Sequence, residues 1–380
     1  MKSPLPPPDP ARPPPSPRRW WRWALGWTLL WGGTARAVPL APQDSSGGVR
    51  ADDHRLQYEG RTVAEPDGSV RLGFPGVTVR VKFRGASLAL RARASAGPQF
   101  LDVSLDGGPF TPLALRAGEA TYPLAAGAGP GAHELVLVRR NESWQGIITL
   151  AAFEPAPGGG LLPPPSLPAR KLLFIGDSVT CGEMTAFEAG RDFHDRRNSN
   201  ARLSYGMILA RRLGAQCALV SYGGRGLIRD WQGRRDTGTA PEFYGRALPD
   251  DSGARWDPRR YLPDAVGIQL GTNDFSQGIP PAEEFVDAYL AFIRTIRGDA
   301  PRALIFLMNS PILTDTPGAP RRSALDADLA QVVARAGDPR VILGPLRHEA
   351  GVPGNGHPTG REHEDMADEL EPRVRHALGW

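Results

Sequence analysis

From about residue 50 to residue 155, apolar and polar positions alternate with a period of two. The run Val77-Thr78-Val79-Arg80-Val81-Lys82-Phe83-Arg84 shows it strictly. A strand turns successive side chains to opposite faces, so such a run has one face for a core and one for water. Residues 87–94, 100–105, 134–140 and 147–153 repeat the pattern. Asp106-Gly107-Gly108 and the glycine-rich residues 127–131 separate these runs as turns. Short alternating strands with regular turns predict an antiparallel β-sandwich over residues 50–155. The next stretch, 156–169, carries Gly158-Gly159-Gly160 and Pro163-Pro164-Pro165 and reads as a linker.

After Arg170 the period changes. Residues 171–175, 217–222, 265–270 and 303–308 are continuous apolar runs, as buried parallel strands require. Between them lie helical stretches: 203–213, then a face made by Phe285, Val286, Tyr289, Leu290, Ile293 and Ile296, then 323–336. Thr359-Gly360-Arg361-Glu362 is a capping box that opens a last helix, continued by Met366 and Leu370. Alternating strands and helices over 170–380 predict an α/β domain, a parallel sheet with helices on both faces. Its active site belongs at the carboxyl ends of the strands.

The first 37 residues follow neither pattern. Arg18, Arg19 and Arg22 precede the apolar stretch 23–31, and Ala35-Arg36-Ala37 offers a small-x-small cleavage site. The stretch is short of the roughly 20 residues that span a bilayer. A cleaved export signal over 1–37 is expected, which places the protein in the periplasm or outside the cell, with no stable membrane insertion after cleavage.

Composition removes several classes. The chain has 380 residues and a formal net charge of +4. Six basic residues against one acid lie in the first 37, so the rest is close to neutral and offers no basic surface for nucleic acid. Two cysteines, Cys181 and Cys217, cannot build a disulfide framework, and whether they meet is open. The seven histidines lack zinc-ligand spacing, so no metal and no cofactor is expected. Asn141-Glu142-Ser143 is a glycosylation sequon.

Four short blocks at strand ends carry the chemistry. Gly176-Asp177-Ser178 places a hydroxyl where the first strand ends; otherwise that Ser is a turn residue or a helix cap. Gly223-Gly224 lets backbone N–H groups approach a substrate oxygen, although loop glycines are common. Asn273, in Gly271-Thr272-Asn273-Asp274, offers an amide to an oxyanion or makes an Asx-turn. His357, just before the last helix, can be the base to a serine from another strand end, or a surface-loop histidine. Asp177 reads as structural, bonding the turn behind the serine.

Together the four blocks resemble the Ser, Gly, Asn and His pattern of the SGNH, or GDSL, hydrolases. The likeness extends to carbohydrate esterase family two through Gly60-Arg61, Phe100-Leu101-Asp102-Val103-Ser104-Leu105-Asp106-Gly107, Trp256-Asp257, Pro263-Asp264-Ala265-Val266 and Leu270 to Ser276. The resemblance covers residues 50–380 and implies a jelly-roll domain ahead of the hydrolase. It implies a serine esterase that removes acetyl groups from polysaccharides such as xylan or glucomannan. Ser178 would be the nucleophile and His357 the base; the oxyanion donors would be the N–H groups of Ser178 and Gly224 and the Asn273 amide. An esterase for other short acyl chains, or a carbohydrate-binding protein with an inactive hydrolase domain, are the alternatives. Oligomeric state is unknown.

One element of the resembling pattern is missing. An acid three residues before the histidine is common there, and this chain has Gly354. A backbone carbonyl of the loop 353–356 is the expected orienter of the His357 ring. The Asn355 side chain comes second, and a distant acid, Asp365 or Glu362, third.

Overall fold

A computed structural model describes residues 48–380. The export signal expected over residues 1–37 lies outside the described residues.

The period-two region forms two antiparallel sheets. One orders the strands Thr62–Ala64, Val70–Leu72, Ile148–Pro155, Ser87–Ala94 and Gly118–Ala126, with Val49–Arg50 also on Ile148–Pro155. The other orders Gly160–Leu161, Thr78–Arg84, Ala132–Arg139, Gln99–Leu105 and Thr111–Leu115, with Leu56–Glu59 on Thr78–Arg84. Val79, Val81 and Phe83 are buried while Arg80 and Lys82 are only partly so, the alternation seen in the sequence. The strands Thr111–Leu115 and Gly118–Ala126 escaped the reading because most of their positions are exposed.

The stretch read as a linker is partly sheet. Gly160 and Leu161 pair with Arg84 and Phe83, and Leu161 is buried. Its Gly and Pro composition hid an edge strand, the place where a sheet tolerates such residues.

Beyond it, five parallel strands lie in the order Gln216–Ser221, Lys171–Gly176, Ala265–Gln269, Leu304–Met308, Val341–Leu343. The chain moves out from the Lys171–Gly176 strand in both directions, so a crevice opens at its carboxyl end. Leu173 and Ile175 face one apolar cluster with the helices Ala282–Asp299 and Arg321–Ala336. Leu172 and Phe174 face another with Tyr205–Arg212 and Gly360–Leu378. The capping box at Thr359 and Glu362 is formed in both directions. The Gly360–Leu378 helix runs through Pro372, which the sequence reading did not anticipate.

The first cluster does not stop at the edge of the hydrolase region. It runs on into the sandwich through Leu56, Val79 and Leu137, and the described residues form one compact unit. Polar contacts seal the same boundary. Arg61 is buried beside Phe74, Tyr244 and Trp256, and donates to the carbonyls of Tyr244 and Arg246. Cys181 and Cys217 are both buried and free. Asn141 is fully buried, its side chain bonded to Phe100 N and Gln145 Oε1, so the folded sequon has no accessible acceptor nitrogen.

Candidate active site

The Lys171–Gly176 strand ends in a tight turn into the short helix Ser178–Cys181. Asp177 caps that helix by accepting from Val179 N at 3.0 Å. Full burial pushes its carboxyl up to about 7. Ser178, the first helical residue, is therefore held by the cap behind it, at the crevice.

His357 reaches the same point from the loop before the Gly360–Leu378 helix. Its Nε2 lies 2.8 Å from Ser178 Oγ. On the other side of the ring, Nδ1 lies 2.6 Å from Asn355 Oδ1. An amide oxygen is only an acceptor, so Nδ1 carries the hydrogen and Nε2 is left free to accept from the serine hydroxyl. The Asn355 oxygen also accepts from His357 N at 3.2 Å. The orienter is thus the Asn355 side chain and not the backbone carbonyl expected from the sequence. Placed two residues before the ring, Asn355 satisfies both nitrogens at once, which a loop carbonyl does not do here. The distant acids are engaged elsewhere. Glu362 accepts from Thr359 N, Thr359 Oγ1 and Gly351 N, and Asp365 pairs with Arg361.

Three donors surround the serine. The N–H groups of Ser178 and Gly224 meet no protein acceptor among the described residues. Asn273 Nδ2 gives one hydrogen to Arg225 O at 2.9 Å and keeps its second. Gly224 sits at φ 77°, a left-handed conformation that favours glycine, and a Cβ there would come within 2.9 Å of the Trp231 ring. Asp274 ties the two loops together by accepting from the N–H groups of Leu227, Ile228 and Arg229. That bracing role was not read from the sequence, where Asp274 was only the last letter of a block.

Ser178, Gly224, Asn273 and His357 line one cleft of about 520 Å³, with Trp144, Glu183, Arg225, Asp230, Trp231 and Ile312 among the other walls. Asn355 stands behind His357. Trp144 and Trp231 are 51% and 53% exposed, large apolar faces open to solvent at a polar cleft. Neither they nor Glu183 stood out in the sequence. Trp144 comes from the sandwich, in the turn Ser143–Gln145, and Ser143 Oγ anchors that turn on Ser221 O at 2.6 Å. The only signal that could have found Trp144 is a tryptophan in a short loop beside Glu142, too common to single out.

A hydroxyl hydrogen-bonded to an oriented imidazole, with free N–H donors around it, can attack an acyl carbonyl and hold the oxyanion that forms. Residues 58–165 match the family Carbohydrate esterase 2 N-terminal, and residues 174–374 match the GDSL-like Lipase/Acylhydrolase family. The chain is 38% identical over 333 residues to an acetylxylan esterase / glucomannan deacetylase from Cellvibrio japonicus, covering 87% of this chain and 91% of that protein. A solved family two carbohydrate esterase from Cellvibrio japonicus superposes with a TM-score of 0.83 at 37% identity, over 87% of this chain and 98% of that one. Another, from Clostridium thermocellum in complex with cellohexaose, gives a TM-score of 0.80 at 30% identity, over 86% and 99%. With the paired domains, the sheet order and the serine–histidine site in place, the chain belongs to the GDSL-like lipase/acylhydrolases and, among them, to carbohydrate esterase family two.

Proposed function

We propose that the protein is a serine esterase that removes O-acetyl groups from acetylated polysaccharides of the xylan or glucomannan type, with Ser178 as nucleophile and His357 as general base. The observation that carries the reading is the unbroken hydrogen-bonded chain from Ser178 Oγ through His357 to Asn355 Oδ1. As Ser178 Oγ bonds to the acetyl carbon, its proton passes to His357 Nε2. The carbonyl oxygen becomes an oxyanion facing the N–H groups of Ser178 and Gly224 and the free hydrogen of Asn273. Collapse breaks the bond to the sugar oxygen, which takes the proton from the imidazolium. A water then attacks the acetyl-serine while giving a proton to His357; the acyl–Oγ bond breaks, Ser178 Oγ takes that proton back from the imidazolium, and acetate leaves.

The substrate class is supported by the relatives and by the walls of the cleft. The Cellvibrio relative is named as an acetylxylan esterase and glucomannan deacetylase. The exposed faces of Trp144 and Trp231 suit the apolar faces of sugar rings, and Arg225, Asp230 and Arg234 supply polar groups beside them. A polymeric substrate of this kind also fits export, the reading of residues 1–37. Acetate release from a panel of acetylated glycans, run beside p-nitrophenyl esters from acetate to palmitate, tests the proposal. Turnover of the acetylated glycans and of the short esters is expected. A preference for palmitate with no acetate from any glycan would defeat it.

A further inference from the structure

A carboxyl group in the cleft wall stands beside the histidine, and the mechanism above does not use it. Glu183 Oε2 lies 3.4 Å from His357 Nε2, the nitrogen that faces Ser178. Glu183 is tied to the nucleophile's own turn, since its N–H donates to Ser178 O at 3.0 Å. The next residue, Met184, is buried at φ 62°, a left-handed conformation unfavourable for a side chain, which fixes the direction in which the chain leaves Glu183.

Glu142 comes from the sandwich and is fully buried. Its Oε2 accepts from Trp144 Nε1 at 3.2 Å. Gly223 leaves the space, because a Cβ there would fall within 2.0 Å of Glu142 Oε2.

We infer that the Glu183 carboxyl, 3.4 Å from Nε2, stabilises the imidazolium of His357 in place of the carboxylate that Asn355 does not supply. The inference rests on the roles proposed for Ser178 and His357. When the serine proton reaches Nε2 the ring becomes a cation, and Asn355 on Nδ1 offers a neutral acceptor. Among the described residues, Glu183 is the carboxylate within salt-bridge distance of the ring. Burial first, and the neighbouring Glu183 after it, hold the Glu142 carboxyl well above the usual range. Asp177 and Cys181, on the nucleophile's turn, lie within electrostatic reach of Glu183, and His363 within that of His357. Arg225 and Arg234, which also line the cleft, are paired with Asp230. Glu183 is thus a positioning residue that acts through His357.

The test is the acid limb of the kcat/KM profile for p-nitrophenyl acetate, measured on the full chain, on Glu183→Gln and on Glu142→Gln, with Ser178→Ala in the same assay. Removing a negative neighbour makes the ring harder to protonate. The Glu183→Gln limb is therefore expected to move down by about one pH unit, with a lower plateau. Glu142→Gln leaves Glu183 in place and should hold the wild-type limb. A Glu183→Gln limb that coincides with wild type overturns the inference. So does a displaced limb in Glu142→Gln, an arm that stands alone if Glu183→Gln does not fold. Activity retained in Ser178→Ala would instead defeat the nucleophile reading itself.

Discussion

Asp102, in a strand of the sandwich, accepts a hydrogen bond from Arg202 Nε of the hydrolase region at 2.6 Å. The same carboxylate takes Asn200 Nδ2 at 2.9 Å and Arg140 Nη1 at 3.2 Å, and it is almost fully buried. Arg140 in turn reaches Arg197 O, and Ala201 N donates to Arg140 O. The segment 197–202 is thereby fastened to the sandwich, and Gly182, just behind Ser178, receives Asn200 N. The bond links the two halves of the chain at the back of the site.

Asp102→Ala strands two arginines at this boundary. Removing one member of a buried ion pair leaves the other charge uncompensated, and a loss of about 3 kcal/mol is expected. Urea unfolding of the variant and wild type checks it. A change under about 0.5 kcal/mol, the scale of an ordinary surface substitution, would mean that Asp102 is not a fastening point.

The orienting role of Asn355 gives a separate expectation. Asn355→Ala should lower kcat by about 10³-fold or more, the scale of a lost triad orienter, while Asn355→Asp keeps activity. Glu362→Gln and Asp365→Asn should stay within about tenfold of wild type, roughly 1.4 kcal/mol of barrier. A collapse in either acid variant, with Asn355→Ala near wild type, would transfer the role to the distant acid.

The contrast between what could and could not be read follows from how far each signal acts along the chain. Strand ends announce Ser178, Asn273 and Gly224, because an apolar run that stops at a polar block is a local pattern. The ring partner of His357 is a choice between the Asn355 side-chain oxygen and the backbone carbonyls of the same short loop, and only the loop conformation around Gly354 and Gly356, both at positive φ, decides for the side chain. Glu183 and His357 are 174 positions apart and meet only through the fold, which no local spacing encodes. The Gly160–Leu161 strand stayed hidden for the opposite reason: its local signal was strong and pointed to a linker.

Asn273→Ala should cost about 10²–10³ in kcat, as the loss of one oxyanion donor does elsewhere. Because the residue also holds Arg225 O, the KM for p-nitrophenyl acetate and the melting temperature should be followed with it. A loss confined to KM would place Asn273 in ground-state binding and not at the oxyanion.

Buried Asp177 couples stability to pH. Its folded value of about 7 lies above its ordinary 3.8, so the folded chain binds this proton more tightly than the unfolded one. Its contribution to stability is present at low pH and is lost as pH rises through that window. His363, buried and pushed down to about 3 from 6.5, acts in the opposite sense and loses stability as pH falls. The difference between wild type and Asp177→Asn isolates the first effect. Asp177→Asn should gain on wild type as pH climbs from about 4 toward about 7. A difference in melting temperature that does not change with pH would contradict a buried, raised Asp177.

The most direct measurement is acetate release from acetylated xylan and glucomannan by wild type and by Ser178→Ala, both shown to be folded by their melting curves. The variant is expected to turn over at least about 10³-fold more slowly, as nucleophile knockouts do. If Ser178→Ala kept more than about a tenth of the wild-type rate, the hydroxyl 2.8 Å from His357 would not be the nucleophile.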